Sequence, residues 1–420
     1  MKDPFGTISI KKHQLTYLFT QDDLWQYISI PFDVPEHALQ IKVSFPSSAP
    51  GRHDVIDLAI EEPDGALRGA TGGARKDILI SPNGSTPGYR IGPLPAGEWA
   101  VVLGCYQLSP GSIAYEFTVE VTTGQDLVFV GDLHCHTEHS DGRHTVSELA
   151  ELAVERGLDF LAITDHNNIA AHPEIPRVPD LTLLRGMEIT WYEGHFNAYG
   201  FSENPSPNYT QGDAYEQLAY AREKSRILAV NHPTLPHCSL RLNPYRTLEL
   251  VNAFEAWNGP MSSWNIAAIE MWEVLLRQGV YLPLLAGSDF HSLGGDREPG
   301  SPSAWIIADT ASERDLVTAM SRGHLLASKD PHTPVLLPWM EENGIRKFPG
   351  DIVSGGEIRL TPLVKGDVRV EMHTDRSLAQ SMAFPSQESS IAWPETAKYV
   401  WFKLFHDHEL VGITNPLRRA

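Results

Sequence analysis

The chain has 420 residues, with 33 basic and 53 acidic side chains and a formal net charge of −20. That length exceeds one ordinary domain and can bury a large core, so two or three domains are expected. The acidic balance, with no Lys/Arg-rich run interleaved with aromatics, excludes a general affinity for nucleic acid polymers.

The opening MKDPFGTISIKKHQ lacks the apolar stretch of a signal peptide, and no run reaches the length of a membrane span. A soluble, cytoplasmic protein is expected. Cys105, Cys135 and Cys238 make no disulfide framework and suit a reducing compartment. Residues 1–125 carry short alternating segments such as ALQIKVSF, VIDLAIEE and EWAVVLGCY, separated by turn clusters PDG, PNGSTPG and LPAGE. This is the pattern of an antiparallel β-sandwich, expected here as an accessory domain.

From Leu127 the rhythm changes to strand then helix. In FVGDLHCH the period of two places Asp132, His134 and His136 on one face and Leu133 and Cys135 on the other. Two imidazoles side by side on a rigid strand can hold a metal ion. Asp141 follows in the turn SDG, where Gly142 allows a tight bend back toward the histidines, and Arg143 and His144 come directly after it. A helix is predicted over 145–156, followed by an apolar run that ends in Thr-Asp-His at His166.

The run LTLLRG leads to Glu188, and GHFNAYGF offers His195. RILAVNHP places His232 after a β-rich run, and VNAFEAW ends near Glu255, Trp257 and Asn258. YLPLLAGSDFH then delivers Asp289 and His291. Further helices are predicted over 213–223, 262–277 and 312–322, with SAWIIAD as another strand. Strands alternating with helices argue for a parallel sheet, and seven such strands suggest a closed barrel. After Pro334 the segments EIRLTPLV, VRVEMHT and KYVWFKLFH read as β again. The expected domains are therefore 1–125, 126–333 and a C-terminal β extension over 334–420.

Six histidines and three carboxylates thus fall where buried strands give way to loops. His-x-His with a following Ser-Asp-Gly, then Thr-Asp-His, Gly-x-Glu, Asn-His-Pro and Ser-Asp-x-His resemble, in type and order, the motifs of the PHP (polymerase and histidinol phosphatase) superfamily over about residues 127–330. The flanking β domain and the Ile-Thr-Asn-Pro of residues 413–416 are similar to the CehA/McbA-like branch, which contains carbamate ester hydrolases. The resemblance implies an α/β fold with a distorted (β/α)7 barrel.

It also implies up to three divalent ions: a first on His134, His136, Glu188 and Asp289, a second on Glu188, His195 and His232, and a third on Asp141, His166 and His291. Glu188 would bridge the first two around a hydroxide. Imidazole and carboxylate ligands accommodate zinc, manganese or iron. The implied activity is metal-dependent hydrolysis of a small, anionic phosphate ester. Carbamate or carboxylate ester hydrolysis is the alternative, and a non-catalytic metal-binding protein is the third reading. The expected catalytic groups are Glu188, Asp289, Arg143 and His144, with Arg143, Arg185 and Arg297 as candidates to read a phosphate. Asp132, Asp165 and Asn231 adjoin the ligands and can orient imidazoles or serve as turn and cap residues.

Overall fold

The computed structural model describes every residue except 176, 177, 179, 180, 207, 209 and 211. The chain forms two compact units, one built on Phe5–Leu127 and the other on Met1–Pro4 and Leu181–Ala420 with the preceding stretch from Val128.

The first unit contains β1 (Ser9–Phe19), β2 (Tyr27–Val34), β3 (Ala38–Ser44), β4 (Val55–Glu61), β5 (Leu67–Thr71), β6 (Asp77–Ile80), β7 (Gly97–Gln107) and β8 (Ile113–Thr123). They form two four-stranded antiparallel sheets, ordered β1-β8-β3-β6 and β2-β7-β4-β5. Period-two alternation is visible in β4, where Ile56, Leu58 and Ile60 are buried between half-exposed neighbours. Such inward rows from both sheets build one core that includes Ile41, Trp99, Val101, Leu103, Phe117 and Val119. At its edge the buried Asp54 carboxylate accepts from Arg52 Nε at 2.6 Å, Ser109 N–H at 2.6 Å and Tyr115 O–H at 2.7 Å. The expected antiparallel sandwich is present.

The second unit is mixed α/β and rich in sheet. Its main strands are β9 (Leu127–Cys135), β10 (Phe160–Ile163), β11 (Thr182–Trp191), β12 (Gly194–Tyr199), β13 (Ile227–Val230), β14 (Ala253–Asn258), β15 (Leu284–Gly287), β16 (Ser303–Ala308) and β17 (Leu325–Ser328). Their order is β15-β14-β13-β12-β11-β10-β9-β16-β17. β10, β13, β14 and β15 are buried at every position, which explains why they read as plain apolar runs without alternation. The sheet curls into a half-barrel. Its end residues meet where Cys135 bridges Phe290, with His136 N–H donating to the Phe290 carbonyl at 2.9 Å and Asp289 N–H to the His134 carbonyl at 2.7 Å.

The helices among the described residues are α1 (Val146–Glu155), α2 (Ala214–Lys224), α3 (Pro244–Leu250), α4 (Ser263–Arg277) and α5 (Glu313–Arg322). Thr145, Asp213, Ser262 and Ser312, the first residues of the four predicted helices, are their N-caps. α3 escapes periodicity because it has only seven residues. A second departure is β12, which runs antiparallel to both β11 and β13. Only Tyr192 and Glu193 separate β11 from β12, and a parallel return needs a crossover of roughly a dozen residues, so the chain can only double back as a hairpin. Strict strand–helix alternation is broken there.

C-terminal β segments join the same sheet. Strand Glu409–Thr414 pairs with β17, and Tyr399–His406 continues the same sheet. Asn415, just beyond, is buried, and its amide completes the open edge of β15. Leu284 N–H donates to Oδ1 at 2.7 Å, while Nδ2 donates to the carbonyls of Leu284 and Leu325, each at 3.1 Å.

Candidate metal centre

β9 ends by turning His134 and His136 into the mouth of the curled sheet, both fully buried. Asp132 shares their strand but not their role. Its carboxylate accepts the backbone N–H groups of His134, Ser288 and Gly300, at 3.0, 2.9 and 2.7 Å, so it stitches loops together and touches no imidazole. Asp165 likewise fastens the loop after β9 through Thr137 and Ser140. Gly142 is needed because of close approach: a Cβ there would lie 2.4 Å from the His136 carbonyl oxygen.

Glu188, in the second half of β11, stands at the middle of the cluster. Its Oε2 lies 3.4 Å from His134 Nε2, 3.4 Å from His136 Nε2 and 3.0 Å from His166 Nδ1. Its Oε1 lies 3.2 Å from both His195 Nδ1 and His232 Nε2 and accepts from Asn231 Nδ2 at 2.9 Å. The two oxygens therefore face two different sets of histidines. Asp289 Oδ1 completes the first set, 3.4 Å from His134 Nε2 and 3.1 Å from His136 Nε2. Asp141 Oδ1 gathers a third, at 3.4 Å from His166 Nε2 and 3.2 Å from His291 Nε2. All nine residues singled out from the sequence come together. Asp289 and His232 take positive φ values of 54° and 24°, conformations that side-chain-bearing residues adopt at a cost.

Three contacts around these imidazoles were not anticipated. Glu255 Oε1 lies 2.8 Å from His134 Nδ1, while Oε2 accepts the His232 backbone N–H at 3.0 Å. Thr190 Oγ1 lies 2.6 Å from His166 Nδ1, and Cys238 Sγ lies 3.4 Å from His232 Nδ1. A charged residue inside the apolar run AFEAWN was the available sign for Glu255. Nothing marked Thr190 or Cys238. Asn231 orients Glu188 and no imidazole.

The charges are strongly perturbed. Burial opposes ionised Glu188, yet the surrounding histidines hold its carboxyl well below the usual range. Hydrogen bonds from His166 and His291 lower Asp141. Burial lowers His166 and His232, but contacts with Asp141 and Glu188 for the first, and with Cys238 and Glu188 for the second, carry each up to about 10. The pocket thus demands positive charge among its imidazoles. A cation meets that demand without protonating them.

The donor set fits such a cation. Glu188 Oε2, His134 Nε2 and His136 Nδ1 are buried and take no hydrogen bond. Buried polar atoms without partners are costly, and Glu188 Oε2 and His134 Nε2, which face each other at 3.4 Å, are atoms a shared metal ion would satisfy. Sets of ligand atoms close enough to share an ion are His134/His136/Glu188, His136/Asp141/His166/His291, His134/His232/Glu255 and His195/His232/Cys238.

Residues proposed to touch a substrate are less uniformly placed. Arg143 is exposed, with its backbone N–H on the His291 carbonyl at 2.8 Å. His144 stacks on Phe290, and its Nε2 accepts the Leu293 N–H at 3.3 Å, so its ring is engaged by the loop and not gathered into the cluster. Arg185 is paired bidentately with Glu313 and is removed as a phosphate reader. Arg297 lies 3.3 Å from Asp289 Oδ2.

A mixed α/β sheet gathers buried His, Asp and Glu side chains into clusters able to hold a metal ion. Residues 132–228 match the family model of the PHP domain. The chain is 46% identical over 37 residues to the DNA polymerase/3'-5' exonuclease PolX of Bacillus subtilis, covering 9% of this chain and 6% of that protein. It is 47% identical over 70 residues to the 5'-3' exoribonuclease Rnm of Salmonella typhimurium, covering 15% and 24%. The chain thus spans less than a quarter of the length of either relative. Among solved structures it is similar to a two-domain Bacteroides vulgatus protein containing a predicted PHP-like metal-dependent phosphoesterase, at 17% identity and TM-score 0.42, covering 69% of this chain and 95% of that one. It is also similar to an amidohydrolase from Chromobacterium violaceum, at 14% identity and TM-score 0.29, covering 40% and 89%. No helix of the described residues is long and apolar enough to cross a membrane.

Proposed function

We propose that this chain is a metal-dependent hydrolase of small phosphate esters, built on a distorted (β/α)7 barrel at 126–333 between the accessory sandwich at 1–125 and the β segments of 334–420. The observation that carries the reading is the position of Glu188, whose two carboxylate oxygens reach two separate groups of histidines. One acidic side chain so placed can span two ions. His134, His136, Glu188 and Asp289 would hold a first, Glu188, His195 and His232 a second, and Asp141, His166 and His291 a third, as zinc, manganese or iron. Divalent ions in such a centre lower the pKa of water from 15.7 to about 7 and supply a nucleophile at neutral pH.

The chain's own residues do the remaining work. Glu255 and Cys238 hold the far nitrogens of His134 and His232, which keeps the other nitrogens aimed inward, and Thr190 shares Nδ1 of His166 with Glu188. Asn231 fixes Glu188 from behind. Arg143 stands in the exposed loop beside Asp141, where its guanidinium can take up nonbridging phosphate oxygens. The net charge of −20 counts against a nucleic acid polymer as substrate, although both matched relatives are named as nucleases.

The test is hydrolysis by purified protein, stripped of metal and then supplied with zinc, manganese or iron, of an aryl phosphomonoester, a phosphodiester, an aryl carbamate and an aryl ester. Metal-dependent turnover of a phosphate ester above the other substrates is expected. Preference for the carbamate or carboxylate ester would transfer the centre to the CehA/McbA-like chemistry. Turnover of none of them, with metal bound, would favour a binding protein.

A further inference from the structure

Beside His232 opens a cavity of about 300 Å³ whose walls include Leu235, Met261, Trp264, Asn258 and Arg297. The side chains of Asn265 and Thr234 are committed to neighbouring backbone groups. Asn258 N–H donates to Asn265 Oδ1 at 2.9 Å, Asn265 Nδ2 donates to the carbonyls of Asn258 and Pro260 at 3.0 and 2.9 Å, and Thr234 Oγ1 donates to the Trp264 carbonyl at 2.7 Å. Apart from the exposed Asp296, the lining offers a ligand apolar surface and one guanidinium.

Arg297 is held firmly. Its Nη1 donates to the Ser288 carbonyl at 2.6 Å and to Asn258 Oδ1 at 2.8 Å. The planar group lies against Gly259, where a Cβ would come within 2.6 Å of Nη1 and 2.9 Å of Cζ. A glycine at that position is what admits it. Among the described residues Nε and Nη2 take no hydrogen bond, and they are the parallel pair of donors that matches the two oxygens of a carboxylate or phosphate. A fixed guanidinium loses little freedom on binding an anion, which favours recognition. Asp296, exposed on the same cavity, opposes a larger polyanion and limits the site to a single oxyanion.

We propose that this cavity is the leaving-group subsite and that it takes an apolar ring or short chain ending in an oxyanion, read by Nε and Nη2 of Arg297. This rests on the centre being a hydrolase of small phosphate esters, and it narrows the substrate to esters whose alcohol portion carries a second negative charge. The apolar body would lie against Trp264, Met261 and Leu235.

Two probes with closely matched leaving groups test it: 4-carboxyphenyl phosphate and its neutral counterpart 4-carbamoylphenyl phosphate. The metal-loaded protein is expected to favour the carboxylate by about ten- to a hundredfold in kcat/KM, the range for loss of one charge-assisted bidentate contact. The ratio of the two rates should collapse toward unity in Arg297→Gln. It should also collapse in Gly259→Ala, which displaces the guanidinium without removing it. Because Arg297 touches Asp289, metal loss in a variant would depress both rates together and leave the ratio intact. A ratio near unity in the unaltered protein, or one that survives Arg297→Gln, overturns the subsite. If neither phosphate is hydrolysed, the reading of the centre as a phosphoesterase fails. Calorimetric titration with 4-hydroxybenzoate against 4-hydroxybenzamide then decides the subsite separately, with tighter, Arg297-dependent binding of the carboxylate expected and equal binding counting against it.

Discussion

Glu255 Oε1 lies 2.8 Å from Nδ1 of His134, and the same carboxylate's other oxygen accepts the backbone N–H of His232 at 3.0 Å. One acid on β14 therefore orients a ring on β9 and the turn after β13. With Nδ1 of His134 donating to the carboxylate, Nε2 presents its lone pair to Glu188 and Asp289. Replacement by Gln keeps the shape and removes the charge that fixes this tautomer. Glu255→Gln should weaken zinc or manganese binding by about ten- to a hundredfold, as loss of such a partner typically does, with the near-ultraviolet circular dichroism unchanged. Calorimetric titration of the stripped protein measures this. Unaltered affinity would show that the contact has no bearing on the metal.

Glu188→Gln probes the bridge itself. The variant retains hydrogen-bonding capacity toward Asn231 but loses the charge shared between the two histidine groups. Metal content after saturation should fall by at least one ion per chain, and hydrolysis by about a hundredfold or more, the upper end for loss of a supporting group. Elemental analysis and a steady-state assay on one preparation read both. Full metal content together with near-normal turnover would place the nucleophile elsewhere.

Asn415 tests how the C-terminal strands support the sheet. Asn415→Ala leaves the Leu284 N–H and the carbonyls of Leu284 and Leu325 without their amide partners in a buried place. The Leu325 carbonyl keeps the Asn415 backbone N–H at 3.4 Å, so two groups lose their hydrogen-bond partner, and at roughly 1–3 kcal/mol each about 2 kcal/mol or more of unfolding free energy should be lost. Urea denaturation followed by tryptophan fluorescence reports it. A loss below about 1 kcal/mol would mean that water or a backbone shift replaces the amide.

The sandwich carries a pH-dependent element. Burial alone would raise Asp54, but Arg52, the Ser109 N–H and the Tyr115 hydroxyl together lower it to about 2. An unfolded aspartate titrates near 3.9, so this group's stabilisation is complete above about pH 4 and disappears as pH falls through about 2. A depression of that size corresponds to roughly 2–3 kcal/mol. Asp54→Asn should lower the stability of this unit by about that amount at pH 7 and flatten its acid dependence between pH 4 and 2. Thermal unfolding across that pH range checks the sign, and a variant as acid-sensitive as the parent would refute the assignment.

The sequence by itself determined the local elements and the identity of the cluster. Alternation marked the sandwich strands, capping residues such as Thr145 and Ser312 marked helix starts, and His134, His136, His166, His232, Asp289 and His291 were legible because each comes at or just after the end of a buried apolar run. These are short-range signals, written within a few residues of where they act. Tertiary structure decided what those signals cannot carry. β12 became an antiparallel strand because its connection to β11 is too short for a crossover, and the C-terminal strands joined the central sheet because β17 offered them a free edge. Glu255 meets His134 across 121 residues, Arg185 is claimed by Glu313 across 128, and Asn415 closes β15 across 131. Partner choice at such separations depends on which strands become neighbours in the sheet, and no local periodicity encodes that.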